Sequence, residues 1–225
     1  MTGTFINMAA VAAGALIGVT IGKRMPQKLQ EIVFQALGLV VGAIGISMAL
    51  ESTNLLISVV SIVLGAVTGH ALGIEKSLNL FADKVRGKIR IGGERFTEGF
   101  VGATLLYCVG SMAVLGSFED GLGEFPTLLC TKSVIDGVSA IALAAVSGIG
   151  VMFSIFPVLI YQGALTLCAE WLSPIMSEVM IAEMTAVGGL MLMGISLSLL
   201  GIKQVRTADM LPALIYAPLL AWLFL

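Results

Sequence analysis

The chain has 225 residues, of which 58 % are hydrophobic and 12 % charged, with a mean hydropathy of +1.04 and a net charge of −2. A soluble domain carries about 25 % charged residues, so this chain has too few to cover a water-soluble globule and no basic excess to hold a nucleic acid. Composition therefore excludes a soluble enzyme, a nucleic-acid binder and a disordered linker, and predicts an all-α integral membrane protein.

A helix needs about 20 residues to cross the hydrocarbon core. Runs of that length predict eight spans in chain order: Thr4–Ile21, Ile32–Leu50, Leu55–Ile74, Glu98–Gly116, Lys132–Met152, Ser154–Leu172, Met180–Gly201 and Met210–Leu225. Gly148, Gly150 and Pro157 supply the break between the nearly fused fifth and sixth. The last is short and holds Pro212 and Pro218, so the count is eight, or seven without it. The start MTGTFINMAA lacks the basic region of a cleavable signal. The first span is expected to direct insertion by itself.

Basic residues set the expected orientation. Lys23, Arg24 and Lys28 follow span one, Lys76, Lys84, Arg86, Lys88, Arg90 and Arg95 follow span three, and Lys203 and Arg206 follow span seven. With the N-terminus outside, all of these become cytoplasmic, and the opposite loops hold acidic residues such as Glu51, Glu119, Asp120 and Glu124. Lys132 is the one exception. Residues 75–97 are the longest polar stretch, and Ile74, Leu78, Phe81, Val85 and Ile89 recur within it at helical spacing. That pattern predicts an amphipathic helix on the cytoplasmic interface of a single transmembrane domain covering residues 1–225.

Glycine is frequent in the spans. Gly14-Ala15-Leu16-Ile17-Gly18-Val19-Thr20-Ile21-Gly22 and Gly65-Ala66-Val67-Thr68-Gly69-His70-Ala71-Leu72-Gly73 share the pattern GAxxGxxxG. Gly38 to Ser47 in span two resembles Gly188 to Ser196 in span seven, which runs the opposite way, as an inverted repeat would. Small residues four apart let helix backbones approach closely in lipid, so tight packing is the first expectation, with a homodimer face as a second use.

Polar residues inside the spans carry the functional expectation, because lipid penalises them. Lys132, Asp136, Ser139 and Ser147 fall on one stripe of span five. A self-neutralising pair at the helix entrance is the bland alternative. Lysine before the acid is the less favourable order, however, and a cation at a helix N-terminus opposes the dipole. Gln162, beside Gly163 in span six, offers donors and an acceptor to a polar solute, an ion or a neighbouring helix. Asn7 and Gln35 follow the same logic. Glu183, near the outer end of span seven, reads as solvated, and His70 as interfacial rather than a proton relay.

Enzymatic motifs such as HExxH, GxSxG and a Walker loop are absent from the sequence. The three cysteines form no CxxC pair, so no catalytic residue, metal site or cofactor is expected.

Four stretches carry a family likeness: FTEGFVGATLLYCVGSMAVLGSFEDGL, KSVIDGVSAIALAAVSGIGVMFS, YQGALTL and AVGGLMLMGISLSLLGIK with the later LPAL. Together with the N-terminal TGTFINMAAVAAGALIG, they resemble the YqgA/YdfK-like bacterial membrane proteins, domain of unknown function 554. The resemblance implies a prokaryotic plasma-membrane protein of this length and brings no substrate with it. The expected function is a secondary transporter or permease for a small polar solute or ion, coupled to H+ or Na+. Lys132, Asp136, Ser139, Gln162, Asn7 and Gln35 would form the site, with lipid and a second copy of the chain as partners. An oligomeric pore and a non-transporting scaffold are the alternatives.

Overall fold

A computed structural model describes residues 1–24, 26–80 and 96–224, without the side chains of Gln27, Gln30 and Phe34. The expected amphipathic stretch 75–97 falls mostly outside the described residues; 74–80 are helical. The described residues form helices and no strand. These are α1 (Thr2–Gly22), α2 (Gln27–Ala49), α3 (Leu55–Leu72), α4 (Phe96–Cys108), α5 (Ser111–Gly121) and α6 (Thr127–Ser147), followed by α7 (Gly150–Phe153), α8 (Ile155–Leu167), α9 (Ala169–Leu172), α10 (Glu178–Leu199), a 3-10 turn (Thr207–Met210) and α11 (Ala213–Phe224).

Seven helical segments among the described residues are long and apolar enough to cross a membrane, and α4 with α5 forms a further pair bent by 60°. Counted as one broken span, that pair brings the total to eight. The bend sits at Val109–Gly110, where Gly110 takes φ 140° and ψ 150°, a conformation a side chain would oppose. The expected break after span five lies at Gly148, whose φ of 75° ends α6. Asn54 caps α3 by accepting from Leu56 N at 3.1 Å, and Ser177 caps α10 by accepting from Met180 N at 3.3 Å.

Packing divides the chain into two units. The first contains Met1–Val33 and Lys88–Ile175, hence α1 and α4 to α9; the second contains Phe34–Gly87 and Met176–Leu225, hence most of α2 with α3, α10 and α11.

In the first unit α1 and α6 run parallel, because Gly3 meets Leu129 at one end and Gly22 meets Ala145 at the other. A Cβ on Gly14, Gly18 or Gly22 would run into the carbonyl oxygens of Gly137, Ile141 and Ala145 respectively. The glycine stripe is thus a backbone-to-backbone contact, as small-residue spacing predicts. The broken span crosses the unit end to end: Phe96 abuts Gly150, while Gly121 abuts Thr166 and Ala169.

In the second unit α2 and α10 pack antiparallel, with Gly38 against Leu200 and Gly45 against Gly189 and Met193. The two stretches that look alike in sequence therefore pack on each other within one unit. Gly65 and Gly69 of α3 lie against Ala213 and Asp209.

Burial is inverted relative to a soluble protein. On α6, Val134, Ile135 and Val138 are 68, 56 and 63 % exposed, whereas Lys132 and Asp136 are 6 and 3 % exposed. A helix that shows aliphatic side chains outward and folds its charges inward is matched to lipid. The chain is a multi-pass helical membrane protein.

Candidate functional site in the first unit

α6 begins at Thr127, five residues before the expected start of span five. Asp136 therefore lies nine residues into a helix of 21 residues, roughly 13 Å along about 30 Å at 1.5 Å per residue. The pair therefore occupies the second and third turns of the helix rather than its first residues. The pair sits near the middle of the helix, where it needs partners inside the protein.

Those partners come from three other helices. Lys132 Nζ donates to Asp136 Oδ2, and the same oxygen accepts from Asn7 Nδ2 of α1 at 3.0 Å. Asn7 Nδ2 also lies 3.4 Å from Gln162 Oε1 of α8. From α4, the Tyr107 ring sits under Lys132, with Nζ 5.8 Å from its centroid. Asn7, Tyr107 and Gln162 are fully buried. The carboxylate orients both amides: Asn7 must turn its NH2 to Asp136, and Gln162 must then turn its oxygen to Asn7.

Ser139 has a lesser part than expected, since its hydroxyl donates back to Asp136 O at 3.0 Å, although it also neighbours the Tyr107 hydroxyl. Gln35 is not among the groups joined by these contacts. It is exposed and belongs to the second unit, one turn before Gly38, where α10 ends against α2.

Sequence reasoning missed the hydroxyls around this centre. Thr4, Thr104 and Thr166 each bury an Oγ1 without a partner, as do Asn7 at Oδ1 and Gln162 at Nε2. The available signal was spacing: Thr4 precedes Asn7 by three residues, Thr104 precedes Tyr107 by three, and Thr166 follows Gln162 by four. Each pair lies on one face of its helix.

The second unit has its own buried acid. Glu183 is fully buried rather than solvated. Its Oε1 accepts from Thr53 N, Asn54 N and Thr53 Oγ1 at 2.7, 2.8 and 2.9 Å, and its Oε2 accepts from Ser52 Oγ and Ser58 Oγ at 2.9 and 3.1 Å. It thus holds the turn that leads into α3.

At the other end of α3, His70, Glu75, Lys76, Asn79, Arg206 and Asp209 line a cavity of 450 Å³. Asp209 accepts from Glu75 N at 2.9 Å and lies 3.5 Å from His70 Nδ1. Partial burial, then the charge of Asp209, hold the Glu75 carboxyl above its usual range, with Arg206 opposing. Among the described residues, no group of three or more His, Cys, Asp or Glu side chains is placed to hold a metal ion.

Comparison with known proteins agrees with this architecture. A family model described as a protein of unknown function, DUF554, matches residues 2–222. The chain is 31 % identical over 222 residues to the "Uncharacterized membrane protein YdfK" of Bacillus subtilis (strain 168), covering 97 % of this chain and 94 % of that one. It is 32 % identical over 220 residues to the "Uncharacterized protein YqgA" of Escherichia coli (strain K12), covering 96 and 94 %. No solved structure matches. From Thr2 to Trp222, through every helix of both units, the chain belongs to the DUF554 family of membrane proteins.

Proposed function

We propose that the protein is a secondary transporter, not an enzyme, moving a small polar solute or ion across the prokaryotic inner membrane in exchange or symport with a cation. The observation that carries this reading is the buried Lys132–Asp136 pair, set near mid-helix beside a span broken at Val109–Gly110. Ionisable residues held inside a bundle mark ion and substrate pathways, and discontinuous helices form the binding centres of many transporters. In this reading Asp136 binds the coupling ion, Lys132 is its resident counter-charge, and Asn7 and Gln162 line the path. The lysine and arginine bias of the loops supports an N-terminus outside. The bend favours a carrier over an open pore, since a hinge within one span lets two ends open in turn.

The test is solid-supported-membrane electrophysiology on proteoliposomes, screening inorganic ions, amino acids and organic acids with wild type beside Asp136→Asn. A saturable current lost in the variant is the expected result. A saturable current that survives moves the site elsewhere. Silence across the panel, from protein shown to be folded, favours a membrane scaffold.

A further inference from the structure

We propose that Asp136 is a proton-exchange site fed by water ordered on Thr4, Asn7, Gln162 and Thr166, so that the coupling ion is H+ and not Na+. The inference rests on the transport reading of this site and names its ion.

The argument begins with what is left over after the ion pair is made. Asn7 Oδ1 is an acceptor, Gln162 Nε2 a double donor, and Thr4 and Thr166 carry hydroxyls; all four side chains are at least nine-tenths buried, and none of these atoms has a partner. They lie toward one end of the unit. Thr4 is a turn from Asn7 toward the start of α1, and Thr166 is a turn from Gln162 toward Gly121, whose neighbour Asp120 accepts from Thr2 N and Gly3 N. Two helices thus set unpartnered donors and acceptors a turn apart, between the end of the unit and the amides that meet the carboxylate, where water can join them into a file.

A buried polar atom left unmade costs about 1–3 kcal/mol. Water answers such a set well, because one molecule makes about three hydrogen bonds, both donating and accepting. A sodium ion does not. It accepts only oxygen ligands, and here it would lie against the ammonium of Lys132 and the NH2 of Gln162, which the bond to Asn7 holds in place.

Among the described residues, the titratable groups around Asp136 are few. Lys132 shares its helix, α4 brings Tyr107 and Cys108, and α8 brings Tyr161 beside Cys108. On α5, Glu119 accepts from Leu128 N, and Asp120 accepts from the first amides of α1 and pairs with the Met1 ammonium at 2.9 Å, so both are engaged at the end of the unit. α1 brings only the amide of Asn7 to Asp136, and α7 is GVMF, without a titratable side chain.

In the exchange step a hydronium ion at the end of the file gives its proton to an Asp136 carboxylate oxygen. An O–H bond forms there, neutral water remains, and the bond from Lys132 Nζ is released while the ammonium keeps its charge. Deprotonation reverses each change.

Infrared spectroscopy of the full chain in lipid bilayers tests this without a solute, by following the carboxylic-acid C=O band during acid titration with sodium or choline as the salt. A band absent from Asp136→Asn, with the same midpoint in both salts, is the expected result. Should Asp136→Asn fail to fold, the neutral pair Lys132→Met with Asp136→Asn takes its place. Transfer to D2O should shift the band quickly in wild type. It should do so about tenfold more slowly in Gln162→Leu, the factor that one ordinary hydrogen bond represents. A midpoint moved by sodium, a band that survives loss of Asp136, or unchanged exchange in Gln162→Leu would each overturn the proposal. Failure of the transport reading is a separate result: no current from protein whose Asp136 band titrates normally.

Discussion

Glu183 offers a sharp test of how the second unit is held together. Replacing it with alanine removes the acceptor of two backbone N–H groups, Thr53 and Asn54, and of three hydroxyls. The hydroxyls of Ser52, Thr53 and Ser58 can rotate to other acceptors, but the two amides cannot. An amide left without a partner costs about 1–3 kcal/mol. Because Thr53 is exposed and Asn54 partly so, water recovers some of this, and the total expected for Glu183→Ala is about 2–4 kcal/mol. Glu183→Gln should behave differently. Its remaining oxygen can keep both amides, while its NH2 faces the Ser52 and Ser58 hydroxyls, which can turn to accept. The loss is then only the charge assistance, about 1 kcal/mol. Denaturant unfolding in mixed micelles, followed by the fluorescence of Trp222 on α11 of the same unit, measures both. Equal losses for Ala and Gln, or a loss below about 0.5 kcal/mol for Ala, would refute the capping argument.

Other outcomes follow from the first unit. Gly14→Ala should cost about 1–3 kcal/mol by overpacking against the Gly137 backbone, whereas Gly163→Ala, whose added methyl meets the flexible end of Met1 at 3.3 Å and Leu159 Cδ1 at an ordinary 3.9 Å, should be nearly neutral in the same unfolding assay. Asp136→Asn should cost about 3–5 kcal/mol because it strands a buried ammonium, and adding Lys132→Met should restore most of that loss; a double variant no more stable than the single would contradict a buried pair. Cys168 is exposed and Cys108 buried, and α8 ends at the same end of the unit where α1 begins. A membrane-impermeant maleimide applied to whole cells should therefore label Cys168 and spare Cys108, and labelling only after lysis would reverse the proposed orientation.

The spans were legible in the sequence because lipid demands long apolar runs, and those runs are the helices. Their edges were harder to place. The expected fifth span opened at Lys132, since a charge looks like a boundary, yet α6 starts at Thr127 and takes the lysine inside. The break at Gly110 was invisible because glycine in an apolar run more often marks close packing than a bend. Asn7, Lys132, Asp136 and Gln162 were recognisable as polar groups that lipid excludes, but their convergence depends on the parallel contact of α1 with α6, which no local pattern encodes. Glu183 was misread for a related reason. Its donors come from Ser52, Thr53, Asn54 and Ser58, about 130 residues earlier in the chain, so nothing beside it in sequence announces a buried acid.

The parallel pairing of α1 with α6 also bears on how the chain assembles during synthesis. The 104 residues from 23 to 126 separate the two helices. At about 5–20 residues per second of translation, α1 waits roughly 5–20 s for its partner. During that interval α2 and α3 are made, while the glycine face of α1 lacks the α6 backbone and the Asn7 amide lacks its carboxylate. The first unit can close only after the first half of the second has been made, and the second only after the first has finished. Neither unit is a segment that can be cut out and refolded alone. Errors in the last helices would therefore be expected to surface as trapped, half-paired early ones.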